Sequence, residues 1–339
     1  MSISLRPLSR LRYALLVTVS VLSFSAVAPR AQAADLPARK SPPELVVAAA
    51  STCWASVEGD YLLRTGNKTT YGFIGVPQLL GARASPVTIK GGSGYGGQLG
   101  FGCRPALSAW DYAAFVRYSG TNRKRGVNAI GISITSSSRS PSAGFVGTTR
   151  NRERHLVLDF QVGRDLGIGG GPDTSLKVTG GIRYANFKST TKGTFFDSSN
   201  STQLFPFKDT SRTWAVGPRL GLEGQSGLGN GFGLDYGAGI SALYADRRLN
   251  IGRDLLVNNI NSFARAKTGF LLGLDANVAI TYKISTNAKF SLGYRADYYA
   301  NAVLDLNSRA IQNNVVGAIT TKTRSRLDMG PFVKLTYSW

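Results

Sequence analysis

From Trp54 to the last residue, apolar and polar side chains alternate with a period of two, in stretches of about ten residues. Successive side chains on a strand point to opposite faces, so each parity meets its own environment. The pattern runs through 53–65, 93–103, 109–119, 154–164, 175–188, 211–223, 232–245, 268–284, 288–299 and 325–339. In 154–164, Leu156, Leu158, Phe160 and Val162 alternate with His155, Asp159 and Gln161. In 288–299, Phe290, Leu292, Tyr294, Ala296 and Tyr298 alternate with Lys289, Ser291, Arg295 and Asp297. The ionic residues keep to one face. A soluble sandwich would need two packed sheets with buried inner faces. A barrel in lipid turns its apolar parity outward and its ionic parity into the lumen.

The connections alternate in length. Long ones fall at 66–92, 120–153, 189–210, 246–267 and 300–324, and short ones at 104–108, 165–174, 224–231 and 285–287. Outer-membrane barrels have short periplasmic turns and long external loops, and an even strand count puts both termini in the periplasm. The expected fold is therefore all-β, a closed antiparallel transmembrane β-barrel of about ten strands. Twelve is the alternative, because 127–136 also alternates and 255–263 and 311–320 pose the same question. Pro218 interrupts the sixth stretch and removes a ladder donor, which predicts a β-bulge there.

The N-terminus carries Arg6, Arg10 and Arg12, a mostly apolar run over 13–27, and Ala31-Gln32-Ala33. This is the layout of a secretory signal peptide with its cleavage site. It predicts a signal over 1–33, a Pro- and Ala-containing periplasmic lead-in over 34–52, and the barrel over 53–339. After residue 30 no apolar run is long enough for a membrane helix. The 40 glycines and abundant Tyr and Phe suit pleated, crowded barrel walls.

The net charge of +21 changes where the chemistry is sought. It points to nucleic acid or to anionic headgroups, and the basic residues form no helical or RNA-binding motif. By parity the lumen receives Arg64, Arg117, Arg183, Arg219, Arg295 and Arg326 against Asp159, Glu223, Asp235, Asp275, Asp297 and Asp328. Lys177, Lys283, Lys289 and Lys334 face Glu58, Asp60 and Asp111 there. The signs nearly balance. Such a lumen can cross-link into a plug or stay a narrow charged channel, since buried charges must pair. The excess positive charge falls in the long loops. Arg123, Lys124 and Arg125 form the sharpest candidate patch for lipopolysaccharide phosphates or other anions, with plain loop solubility as the competing reading.

Cys53 opens the first stretch and Cys103 closes the second. In an antiparallel pair those positions share one end, so a disulfide is expected, with two separate buried thiols as the other reading. His155 is the single histidine, and neither a nucleophile nor a paired carboxylate stands at catalytic spacing from it. No enzyme, cofactor or metal site is expected. The chain ends on the alternating strand Phe332-Val333-Lys334-Leu335-Thr336-Tyr337-Ser338-Trp339. This resembles the terminal signal read by the barrel-assembly machinery, with Trp in place of the usual Phe.

Three segments carry a family resemblance: Gly180-Gly181-Ile182-Arg183-Tyr184-Ala185, Val216-Gly217-Pro218-Arg219-Leu220-Gly221-Leu222-Glu223-Gly224, and Leu228-Gly229-Asn230-Gly231-Phe232-Gly233-Leu234. Together with Trp54 and Asp60-Tyr61-Leu62, these are similar to motifs of the Legionella major outer membrane protein family. The resemblance covers most of the chain and is sharpest over 176–236. It implies a pore-forming outer-membrane protein with no catalytic residues. The expectation is a porin-like passage for small, preferably anionic, solutes, in contact with outer-membrane lipid and lipopolysaccharide. The alternative is a structural or adhesive barrel with a plugged lumen, its basic loops binding lipopolysaccharide or host-surface anions.

Overall fold

The computed structural model describes residues 51–65, 69–71, 87–89, 92–130, 144–168, 174–197, 203–253, 263–306 and 321–339. The regular elements are β1 (Thr52–Thr65), β2 (Thr69–Tyr71), β3 (Val87–Ile89), β4 (Ser93–Arg104), β5 (Trp110–Ile130), β6 (Gly144–Asp165), β7 (Ser175–Asp197), β8 (Gln203–Gly229), β9 (Phe232–Arg253), β10 (Phe263–Lys283), β11 (Ala288–Leu306) and β12 (Thr321–Ser338). Strand β1 and strands β4 to β12 close into one barrel in which each neighbour is antiparallel, while β2 and β3 pair apart from it. The barrel has ten strands, not twelve. It closes where β1 meets β12, from Trp54 opposite Ser338 to Thr65 opposite Leu327. Closure satisfies every strand edge, the condition for β-structure in lipid.

The outer face is apolar at mid-height, with Leu99, Val116, Phe160, Ile182, Leu220, Ile240 and Ile280 all exposed. Aromatic rings border this band at both ends, as lipid–water girdles do. Phe232 packs on Tyr282 and Tyr337 on Trp339 at the short-turn end, and Tyr61 packs on Tyr95 and Tyr244 on Phe270 at the other. The turns are tight where expected. Asn230 joins β8 to β9 at φ 52°, between Gly229 and Gly231, also at positive φ.

Several expectations change. The long connections over 120–153, 189–210 and 246–267 are mostly strand: β5 runs on to Ile130 and β6 starts at Gly144, so the pair continues well past the band. Thus 127–130 extends a strand rather than adding one; 131–136, 255–262 and 311–320 lie outside the described residues. No bulge forms at Pro218. Val216 pairs with Tyr244 and Arg219 with Ser241, so the register is unchanged and the ladder toward β9 skips only Gly217 and Pro218. Pro218 still pairs with Ile182 on the β7 side. A side chain at Gly217 would meet the Ala242 carbonyl at 2.1 Å, so glycine there lets β9 stay close beside the proline.

The barrel lumen as candidate functional site

Parity predicts an ionic lumen, and the inward side chains are indeed charged and buried. Their partners sit mostly on other strands. Arg183 on β7 donates to both oxygens of Asp159 on β6, at 2.7 and 2.8 Å, and reaches Asp275 on β10 at 2.7 Å. The second oxygen of Asp275 accepts from Arg219 on β8 at 2.7 Å, and Arg219 also donates to Gln161. On the opposite wall Arg117 forks onto Gln98 and bonds Asp297 at 2.8 Å, while Arg295 bonds Glu58. Charge-assisted forks of this kind make a cross-braced belt. A buried belt stays ionised only because nearly every charge has its counter-charge in place.

Below the belt, toward the short turns, Lys177 bridges Glu223 at 3.2 Å and Asp111 at 3.5 Å, and Lys289 bridges Asp235 at 2.9 Å. A cavity of about 500 Å³ opens at this end and reaches up to Arg183 and Asp275. Above the belt the lumen becomes apolar. Val157, Ala185, Phe187, Ala215, Leu243, Leu271, Tyr299 and Ala302 form one enclosed cluster. His155 stacks on Phe187 with centroids 4.4 Å apart, and Tyr299 stands edge-on to both rings. His155 Nδ1 lies 3.4 Å from Asp328, which also accepts from Arg326 at 2.9 Å. The register of β11 shifts between Tyr299 and Val303, with Asn301 at φ 57° between them. The Asn301 carbonyl thereby accepts a 2.6 Å bond from Arg247 on β9, across β10, tying the shifted strand to the cluster.

Of the lumen residues read from sequence, Arg117, Asp159, Arg183, Arg219, Glu223, Asp235, Asp275, Arg295, Asp297, Arg326 and Asp328 all join this network. Arg64 lies opposite Asp328 in the β1–β12 ladder, and its side chain is outside the described residues. Arg219 pairs with Asp275, and Glu223 serves Lys177. Sequence reasoning missed the apolar cluster. Its signal was present: Val157, Ala185, Phe187, Leu243 and Leu271 are apolar residues on the otherwise ionic parity. Cys53 and Cys103 stand directly opposite each other in the β1–β4 ladder and are disulfide-bonded.

The loop patch is corrected. Arg123, Lys124 and Arg125 belong to strand β5, not to a loop. Consecutive strand residues point to opposite faces, so the triplet cannot act as one patch. Lys124 is exposed on the outer parity, Arg123 is half-buried on the inner one, and the side chain of Arg125 lies outside the described residues.

The family model described as the Legionella pneumophila major outer membrane protein precursor matches residues 108–339. The chain belongs to this family. It is an outer-membrane β-barrel protein, and the matched region spans β5 to β12 with most of the lumen belt. No curated protein sequence matches the chain. Among solved structures it is similar to the outer membrane protease OmpT of Escherichia coli, at 13% identity, 85% of this chain, 96% of that chain and a TM-score of 0.45. It is also similar to the Pseudomonas putida toluene transporter TodX, at 6% identity, 85% and 89% coverage and a TM-score of 0.28. A third likeness is to OprG of Pseudomonas aeruginosa, at 9% identity, 86% and 97% coverage and a TM-score of 0.23.

Proposed function

We propose that this family member is a self-plugged outer-membrane barrel, closed to passive solutes at rest, which reinforces the envelope and presents a basic outer surface. One observation carries the reading: the enclosed apolar cluster around Phe187, Leu271 and Tyr299, drawn from β6 to β11, fills the lumen above the cross-braced charge belt. Ions would have to pass both this enclosed cluster and the salt bridges of the belt. His155 sits inside this seal, 3% exposed, and meets no substrate there, so it has no catalytic role in this reading.

The porin-like reading has one observation of its own. The 500 Å³ cavity opens at the short-turn end, and nine cationic side chains line it against six carboxylates, an excess that suits small anions. Conductance in planar bilayers separates the two. Pure folded protein is expected to give no steps. Regular open steps from the wild type would overturn the plug and install the pore. A change of ion selectivity in Arg183→Ala with Arg219→Ala would then mark those side chains as its lining.

A further inference from the structure

Beyond the external girdle the outer wall of β5 to β9 changes chemistry. Arg154, Lys188, Arg212 and Arg248 are consecutive register partners across β6, β7, β8 and β9. Lys124, Arg150, Lys192 and Lys208 form a second such row across β5, β6, β7 and β8. Every one of them continues the outward parity of Tyr118, Leu156, Tyr184, Trp214 and Tyr244. Seven are exposed and Arg154 is half-buried. The first row lies two residues, about 7 Å, beyond Leu156 and Trp214, and the second lies about 13 Å further along the strands.

Like charges directly opposite one another destabilise an antiparallel pair. A wall built only for solubility intersperses both signs. Here the carboxylate among the rows is Asp246, held by Arg248 at 3.0 Å. Arg150 donates to Asn122 at 2.9 Å, and the buried Nε of Arg154 has no hydrogen-bond partner. Among the described residues, these contacts leave the cations of the two rows in excess. An external polyanion spread along the wall would offset that excess.

We propose that these two rows bind the phosphorylated headgroups of outer-leaflet lipid, holding lipopolysaccharide phosphates against the barrel wall by charge-assisted hydrogen bonds. Position selects the lipid source. The first row stands on the outer wall where the aromatic girdle ends, at headgroup height, and the second continues outward on strands, not at the loop tips that a soluble polyanion meets first. The inference rests on the outer-membrane placement and not on the state of the lumen, so a silent or a conducting barrel leaves it intact.

The test uses the full chain refolded in neutral detergent. Lys188→Gln, Lys192→Gln and Arg212→Gln together are compared with Arg265→Gln, Lys267→Gln and Lys322→Gln, an equal charge change elsewhere on the barrel. Lipopolysaccharide affinity is expected to fall at least tenfold in the first variant only. Dephosphorylated lipopolysaccharide should bind the wild type as weakly. The unfolding temperature in neutral detergent should stay level or rise, because repulsion has been removed. The milder pair K188Q and R212Q supplies a second variant in which only one row is broken, with a smaller loss expected. Unchanged affinity in the row variants, an equal loss in the control, or heparin bound as tightly as lipopolysaccharide would overturn the proposal.

Discussion

Asp275 shows how much one side chain can hold. Its two oxygens each accept a 2.7 Å bond, one from Arg183 and one from Arg219, on two different strands. Removing it leaves two guanidinium groups facing each other in a closed space. Breaking a buried pair in this way costs about 3–5 kcal/mol. Asp275→Ala is therefore expected to lower barrel stability by about that amount, read as an earlier midpoint in urea unfolding from vesicles. Parity alone assigned Asp275, Arg183 and Arg219 to the lumen. Their pairing was not legible, because Arg219 and Asp275 are 56 residues apart and meet over Gly239 of the intervening strand β9 rather than along a strand. The same parity rule, carried through Arg123 and Lys124, would have split that basic triplet between two faces from the start.

Strands β5 to β9 run well past the apolar band, and the reason they read as loops is physical. Inside the membrane one face is lipid-exposed and must be apolar, so alternation is sharp. Beyond the girdle both faces are polar, as in Lys188 and Thr190 against Ser189 and Thr191, and the period-two contrast disappears while the ladder continues. Pro218 misled in the other direction: a proline in a strand suggests a bulge, yet Gly217 beside it lets the partner come close enough to keep register. The β1–β4 pair is the element most open to direct test. Its disulfide joins opposite residues and closes a sequence separation of 50. Cys53→Ser with Cys103→Ser is expected to cost about 2–4 kcal/mol, measured by unfolding under non-reducing conditions. No stability difference would show that ring closure of the barrel already imposes the constraint.

Across the whole molecule the orientation is set by the unequal ends. The turn over 284–287 is short and tight, with Ser285 Oγ accepting from the backbone of Asn287 and Ala288. Short turns face the periplasm in outer-membrane barrels. A thiol introduced by Thr286→Cys is therefore expected to react with an impermeant maleimide only after the outer membrane is permeabilised; labelling of intact cells would reverse the topology. The sequence by itself determined the strand-based membrane fold, the face each residue takes within the band, the family and the position of the cysteine pair. The family follows from the motifs over 176–236, and the rest follow from period-two alternation and local spacing, which are properties of single strands. Only the tertiary structure decided the strand count, the partners in the charge belt, the apolar seal and the cationic rows on the outer wall. Each of these depends on which residues meet across strands or across the lumen, and closing the sheet is what sets that register.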